Sequence, residues 1–213
     1  MGDVQSTKTL KETAYEVIKE RIVNGEWSGG TFLSEKALSE LLEMSKTPIR
    51  SALDRLEMMG LVKLSPKQGV IVQEISLKKI LEIYELRLAL ETFAVRQLTG
   101  KLDALFFSRL DANLEAQAAA VQAEDVIKYV HLDRQFHEMI VDSLDNSEFA
   151  EAMSRIQDKF IIAVRTTFIK NKKRLWGSLE EHRSIRDALA GNDPLVTEQL
   201  IAKHIEFVKM ILL

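Results

Sequence analysis

The sequence predicts a mainly α protein in two parts: a small unit of three helices and a β-hairpin over residues 1–75, then an all-α helical bundle over 76–213. Three observations carry that expectation. Apolar residues recur at helical spacing along most of the 213 residues, and only three prolines interrupt them. Two short β-prone pieces, Leu61–Leu64 and Val70–Val72, flank the turn residues Ser65, Pro66, Lys67, Gln68 and Gly69. Beyond Ser76 the strand signal disappears.

The first helix is expected from Thr9, where Thr9-x-x-Glu12 makes a capping box, to about Val23, with Tyr15, Ile18 and Ile22 as its apolar stripe. Asn24-Gly25 ends it, and Ser34 caps a short second helix carrying Leu38, Leu41 and Leu42. Thr47-Pro48 reads as N-cap followed by the first helical residue of a third helix that runs to Met59 and stops at Gly60. In the bundle six helices are expected, at about 76–98, 102–122, 125–144, 147–172, 179–190 and 194–212. Gly100, Asp125, Asp145-Asn146, Gly177 and Gly191-Asn192 punctuate them, Ser178-x-x-Glu181 reads as a second capping box, and Asp193-Pro194 repeats the cap-then-proline signal.

Composition removes several classes of function. No apolar run approaches the roughly 18 residues of a membrane span. With no cysteine, neither a disulfide nor a thiolate ligand or nucleophile is available, and the cytoplasm is the expected compartment. The net charge of −3 speaks against a chain that coats nucleic acid along its whole surface. From Lys46 to Lys67, however, Lys46, Arg50, Arg55, Lys63 and Lys67 face only Asp54 and Glu57.

That basic stretch lies on a winged helix-turn-helix pattern. A helix of this kind fits the major groove with its N-terminal residues at base edges, while the hairpin tip reaches backbone or minor groove. The helix from Pro48 presents Ser45, Lys46, Thr47 and Arg50 at such an end, and Lys67 and Gln68 lie at the wing tip. One winged helix reads only a few base pairs, so a homodimer on an inverted repeat of double-stranded DNA is expected. The alternative is a winged helix that makes only protein contacts.

Residues 15–72 resemble the DNA-binding domain of the GntR family. The resemblance rests on Tyr15, Ile18, Ile22, Gly25, Leu33-Ser34-Glu35, Leu38, the segment Ser45-Lys46-Thr47-Pro48-Ile49-Arg50, Ala52-Leu53, Leu56-Glu57, Gly60-Leu61-Val62 and Gly69-Val70. It implies base contacts at Lys36, Lys46 and Arg50 and a wing contact at Gly69. Two of the three positions carry lysine in place of the family's arginine. Lysine lacks the bidentate fork on guanine, so the family's operator does not transfer.

In the bundle the helix near 125–144 places Asp133 and His137 at i and i+4 on the stripe of Val126, Tyr129, Val130, Ile140 and Val141, so both point inward. His182 lies with Leu179, Ile185 and Leu189, and His204 with Leu200, Ile201 and Phe207, again inward. His131 shares a face with Lys128, Gln135 and Glu138 and is expected to be solvated. A carboxylate and imidazoles buried together are costly without a partner, and a divalent cation removes that cost.

Asp133-x-x-Phe136-His137, then Glu181-His182 with Ala188-Leu189 and Gly191, then His204, preceded by Ile83-Tyr84-Glu85-Leu86-Arg87 and Glu91, resembles the FCD effector domain of the FadR subfamily over about 76–208. Six helices suggest the VanR-like version. The resemblance implies that Asp133, His137, His182 and His204 bind a divalent ion (Zn, Ni, Mn or Fe), with a small carboxylate effector at the remaining positions. The whole would be a metal-bearing transcription regulator, a repressor by expectation, whose operator affinity a small organic acid controls. Arg87 lies on an inward stripe and either meets the acid or pairs with Glu91; Arg165 faces the pocket, a dimer partner or water. Two other readings stay open: a purely structural metal with no effector, and a metal-dependent enzyme.

Overall fold

The computed structural model describes residues 8–65 and 69–211, and the chain divides into two compact units, Met1–Ile75 and Ser76–Leu213. The first unit runs α1 (Leu10–Val23), β1 (Phe32–Leu33), α2 (Glu35–Leu42), α3 (Lys46–Met58), β2 (Val62–Ser65), β3 (Gly69–Val72). The capping box forms as expected: the Thr9 hydroxyl accepts from Glu12 N, and Thr9 N donates to the Glu12 carboxylate at 2.8 Å. α1 packs on α3, and Ile18, Leu38, Ile49, Leu53 and Leu56 are fully buried between the helices. Each such side chain contributes about 1.5–3 kcal/mol by leaving water.

Two local expectations need correction. The sheet has three strands in the order β1-β3-β2, with Phe32 opposite Ile71 and Val62 opposite Val72, where the sequence suggested two. Strand β1 is two residues long, too short for an alternating pattern to register. Helix α3 begins two residues early: Ser45 is the N-cap, without a side-chain cap bond, and Pro48 occupies the third helical position. Proline is accommodated there because N–H groups of the first turn have no intrahelical acceptor to lose.

The second unit holds α4 (Leu77–Leu98), α5 (Ala104–Gln122), α6 (Val126–Asp142), α7 (Ser147–Lys170), α8 (Lys173–Leu189) and α9 (Pro194–Ile211). Side chains of Ser76, Asp103, Asp125 and Asn146 accept from first-turn N–H groups and start α4 to α7. Asp193 does the same for Leu195 and Val196 at the start of α9. α4 packs on α9, α6 on α5 and α7, and α8 on α5 and α9. Helix α8 starts at Lys173, not 179, so Gly177 and Ser178 lie inside it and Ser178-x-x-Glu181 caps nothing. A mid-helix glycine costs about 1 kcal/mol relative to alanine. Here its missing Cβ leaves room for Arg174, whose Nη1 would stand 2.8 Å from that carbon. Among the described residues no helix is long and apolar enough to cross a membrane.

Candidate metal centre and DNA-reading helix

Helices α6, α8 and α9 bring Asp133, His137, His182 and His204 together. One potential ligand atom from each lies within 4.8 Å of every other, and all four residues are buried. His182 Nε2 stands 3.3 Å from His204 Nε2 and 3.5 Å from Asp133 Oδ1. His137 Nε2 and Asp133 Oδ2 have no hydrogen-bond partner among the described residues. His131, two residues before Asp133 on α6 and so on another face of that helix, is half-buried and stands outside the group.

Each imidazole is held by its other nitrogen. His137 Nδ1 meets Glu91 Oε2 at 2.5 Å, His182 Nδ1 meets Gln117 Oε1 at 2.8 Å, and His204 Nδ1 meets Glu181 Oε2 at 2.6 Å. Glu91 is engaged by Arg87 Nε at 2.7 Å and Glu181 by Arg174 Nη2 at 2.5 Å, charge-assisted bonds that favour the ionised, accepting carboxylates, although for Glu91 burial outweighs them and raises its pKa above the ordinary value. An ionised Glu91 or Glu181 accepts from Nδ1–H, and in that tautomer His137 and His204 each turn a bare Nε2 lone pair to the centre. Ring lone pairs and an ionised carboxylate converging in this way repel one another, and a cation is what such an arrangement accommodates.

The electrostatics agree. Burial, reinforced by neighbouring positive charge, pushes His137 and His182 well below the ordinary imidazole pKa. Burial also lowers His204, although its bond to Glu181 opposes that. All three rings are thus neutral near neutral pH, the form in which imidazole can bind a metal. Burial drives the Asp133 carboxyl up to about 7 against the pull of Arg87. For Glu181 burial works against ionisation, but hydrogen bonds from His204 and Arg174 outweigh it and hold the pKa below its usual value.

Arg87 is buried and paired with Glu91, so the ion-pair reading of this residue holds; its Nη2 still lacks a partner among the described residues. Arg165 is half-buried on α7, and the arginines whose charge acts most on Asp133 are Arg87 and Arg174. Sequence reasoning missed Arg174, Asn113 and Gln117, and read Glu181 as a cap and as part of the FCD-like segment, without its bond to His204. A signal for the middle two was present: Asn113 and Gln117 stand i and i+4 on the buried stripe of Phe106, Leu110, Leu114 and Val121.

In the first unit, Ser45, Lys46, Thr47 and Arg50 are exposed on the opening turns of α3. Arg50 Nε donates to Glu35 Oε2 at 2.8 Å, tying the starts of α2 and α3 together. Lys36 beside it is exposed and lies 3.7 Å from Glu40. Arg55 lies 3.7 Å over the Tyr15 ring, so one of the basic residues packs onto α1. Gly69 opens β3 with φ 109°, and a Cβ there would come within 2.6 Å of the Phe32 ring and 2.8 Å of Leu33 O. It is a glycine because β1 crosses directly against it. Pro66, Lys67 and Gln68 of the wing tip lie outside the described residues.

A winged helix-turn-helix with exposed basic residues on its third helix, followed by a helical domain enclosing ligand-type side chains, defines a transcription regulator. Residues 10–72 match the family model for bacterial regulatory proteins of the gntR family, and residues 82–207 match that of the FCD domain. The chain belongs to the GntR family and carries an FCD domain. It is similar to the gluconate operon transcriptional repressor of Bacillus subtilis, 31% identical over 173 residues, covering 79% of this chain and 70% of that protein. The transcriptional repressor RspR of Escherichia coli is 24% identical over 200 residues, covering 94% of this chain and 87% of that one. A crystal structure of a GntR regulator from a Rhodococcus species shares the fold, with a TM-score of 0.84 at 22% identity over 95% of this chain and 96% of that one. These relatives are transcription regulators and not enzymes.

Proposed function

We propose that this chain is a homodimeric, metal-bearing regulator whose affinity for an inverted-repeat operator is set by a small organic acid. The convergence of three neutral imidazoles and Asp133, each ring held from behind, supports this reading more than any other observation. Asp133, His137, His182 and His204 would hold one divalent ion: Zn, Ni, Mn or Fe. Nitrogen and oxygen donors suit each of these, and geometry and availability decide among them. Bound there, the ion supplies a Lewis-acidic position for a carboxylate.

The chain's own groups then define the ligand's surroundings. Arg87 keeps an unused Nη2 donor suited to an acid's oxygen, Arg174 adds a second positive charge acting on Asp133, and Arg165 stays a candidate for the effector. Every one of these groups is buried, so a ligand enters only if helices of the bundle part, and its binding energy is coupled to their arrangement. On the DNA side, Lys36, Ser45, Lys46, Thr47 and Arg50 would face the groove, with Lys67, Gln68 and Gly69 at the wing.

The experiment is fluorescence anisotropy on an operator selected from random DNA, with gluconate as first probe because a relative represses a gluconate operon. A change in operator affinity with the acid, abolished by chelation, supports the proposal. An operator affinity indifferent to chelation and to a broad panel of acids rejects it.

A further inference from the structure

His137 and His204 rest on carboxylates, which when ionised only accept hydrogen bonds. His182 rests on an amide instead, and the two ends of an amide have nearly the same shape and opposite hydrogen-bonding sense. If the Gln117 amide were reversed, its NH2 would face His182 Nδ1. That nitrogen would have to accept, the proton would move to Nε2, and the lone pair aimed at the centre would be lost. Something must therefore fix the amide.

The answer lies on α5 and α6. The main-chain oxygen of Leu132 can only accept, and Asn113 Nδ2 donates to it at 3.1 Å. Asn113 Oδ1 consequently faces the other way and accepts from Gln117 Nε2 at 2.7 Å. That places Gln117 Oε1 against His182 Nδ1, where only a ring N–H satisfies it. Gln117 is fully buried and Asn113 nearly so, which removes water as an alternative partner. A glutamate in place of Gln117 would bring a buried charge with no arginine assigned to it, whereas Arg87 and Arg174 serve Glu91 and Glu181.

We infer that Asn113 and Gln117 are positioning residues. Anchored on the Leu132 carbonyl, they lock His182 in the Nδ1-protonated tautomer and so present its bare Nε2 to Asp133, His137 and His204. The consequence for a metal rests on the metal reading above; the tautomer itself does not.

The test uses full-length, metal-free protein with 15N-labelled histidines. Long-range 1H–15N correlation spectra report the tautomer of each ring, and His182→Ala identifies the His182 signals. Wild type should show His182 protonated on Nδ1 alone. Asn113→Asp still accepts from Gln117 Nε2 and should keep that tautomer. Asn113→Leu and Gln117→Leu remove the anchor and the acceptor, so a mixture of tautomers or an Nε2-protonated ring is expected. Zinc affinity, read by competition with a chromophoric chelator, should fall about 10–100-fold in both leucine variants and stay within a few-fold of wild type in Asn113→Asp. An Nε2-protonated His182 in wild type overturns the inference, and so does an unchanged tautomer with unchanged zinc affinity in Asn113→Leu. If wild type takes up no zinc, the metal reading fails, and the tautomer spectra decide the relay by themselves: Nδ1 protonation in wild type and Asn113→Asp but not in Asn113→Leu upholds it, and an unchanged tautomer in Asn113→Leu overturns it.

Discussion

Replacing Arg87 by methionine probes how the interior of the helical domain is held. The Arg87 side chain is 2% exposed and that of Glu91 0%, and Nε lies 2.7 Å from Oε1. Water does not screen this pair, so the small values typical of surface ion pairs do not apply. At an effective dielectric constant near 20, unit charges about 4 Å apart attract by about 4 kcal/mol. Methionine fills much of the same space, so the main loss is electrostatic: Glu91 loses its counter-charge where burial already raises its pKa, at a cost of up to about 3–5 kcal/mol. Glu91→Gln alone strands Arg87 in the same way while keeping an oxygen for His137 Nδ1. The double variant has neither charge and should recover much of the summed loss, with a coupling energy of about 2–3 kcal/mol. Urea unfolding of the metal-free protein measures it. One of the two tryptophans lies in each unit, so a Trp27→Phe background leaves Trp176 as reporter of the helical domain. A coupling energy below about 1 kcal/mol, the range of an exposed pair, would refute the reasoning.

Other outcomes follow from the same geometry. Arg50→Ala should lower operator affinity by about 1–3 kcal/mol per half-site in anisotropy titrations, while Glu35→Gln, which frees Arg50, should strengthen binding to unrelated sequences at low salt. An Arg50→Ala protein with full affinity and specificity would show that α3 is not the reading helix. Gly69→Ala should lower the melting temperature of the winged unit, because its Cβ meets Phe32 and Leu33 O and its backbone has φ 109°. Calorimetry showing wild-type stability would mean that β1 yields without cost. Chelation should lower the melting temperature of the helical domain, since an ion at 100 times its dissociation constant adds about 2.7 kcal/mol by mass action; a thermal shift assay with and without added zinc reads this directly.

Much of this architecture was legible in the residues, and the failures have local causes. Thr9-x-x-Glu12 and Asp193-Pro194 predicted helix starts correctly because their side chains bond only their own first turn. Ser178-x-x-Glu181 has the same spelling, yet Glu181 is claimed by Arg174 and His204, partners seven and 23 positions distant that no window on the sequence reveals. Strand β1 exists only because β3 pairs with it. Asp133 and His137 announced themselves as polar residues four apart on an apolar stripe. Asn113 and Gln117 have the same spacing on α5 and passed unnoticed, because amides satisfy one another and create no unpaired charge to explain.

The central claim is a divalent ion held by Asp133, His137, His182 and His204, and the metal content of purified protein tests it most directly. Inductively coupled plasma mass spectrometry should find about one Zn, Ni, Mn or Fe per chain in wild type and in His131→Ala, which leaves the cluster intact, and little in His182→Ala, which removes a ligand. Equal metal content in wild type and His182→Ala, or a wild type that stays empty after incubation with each of these ions, would contradict the account.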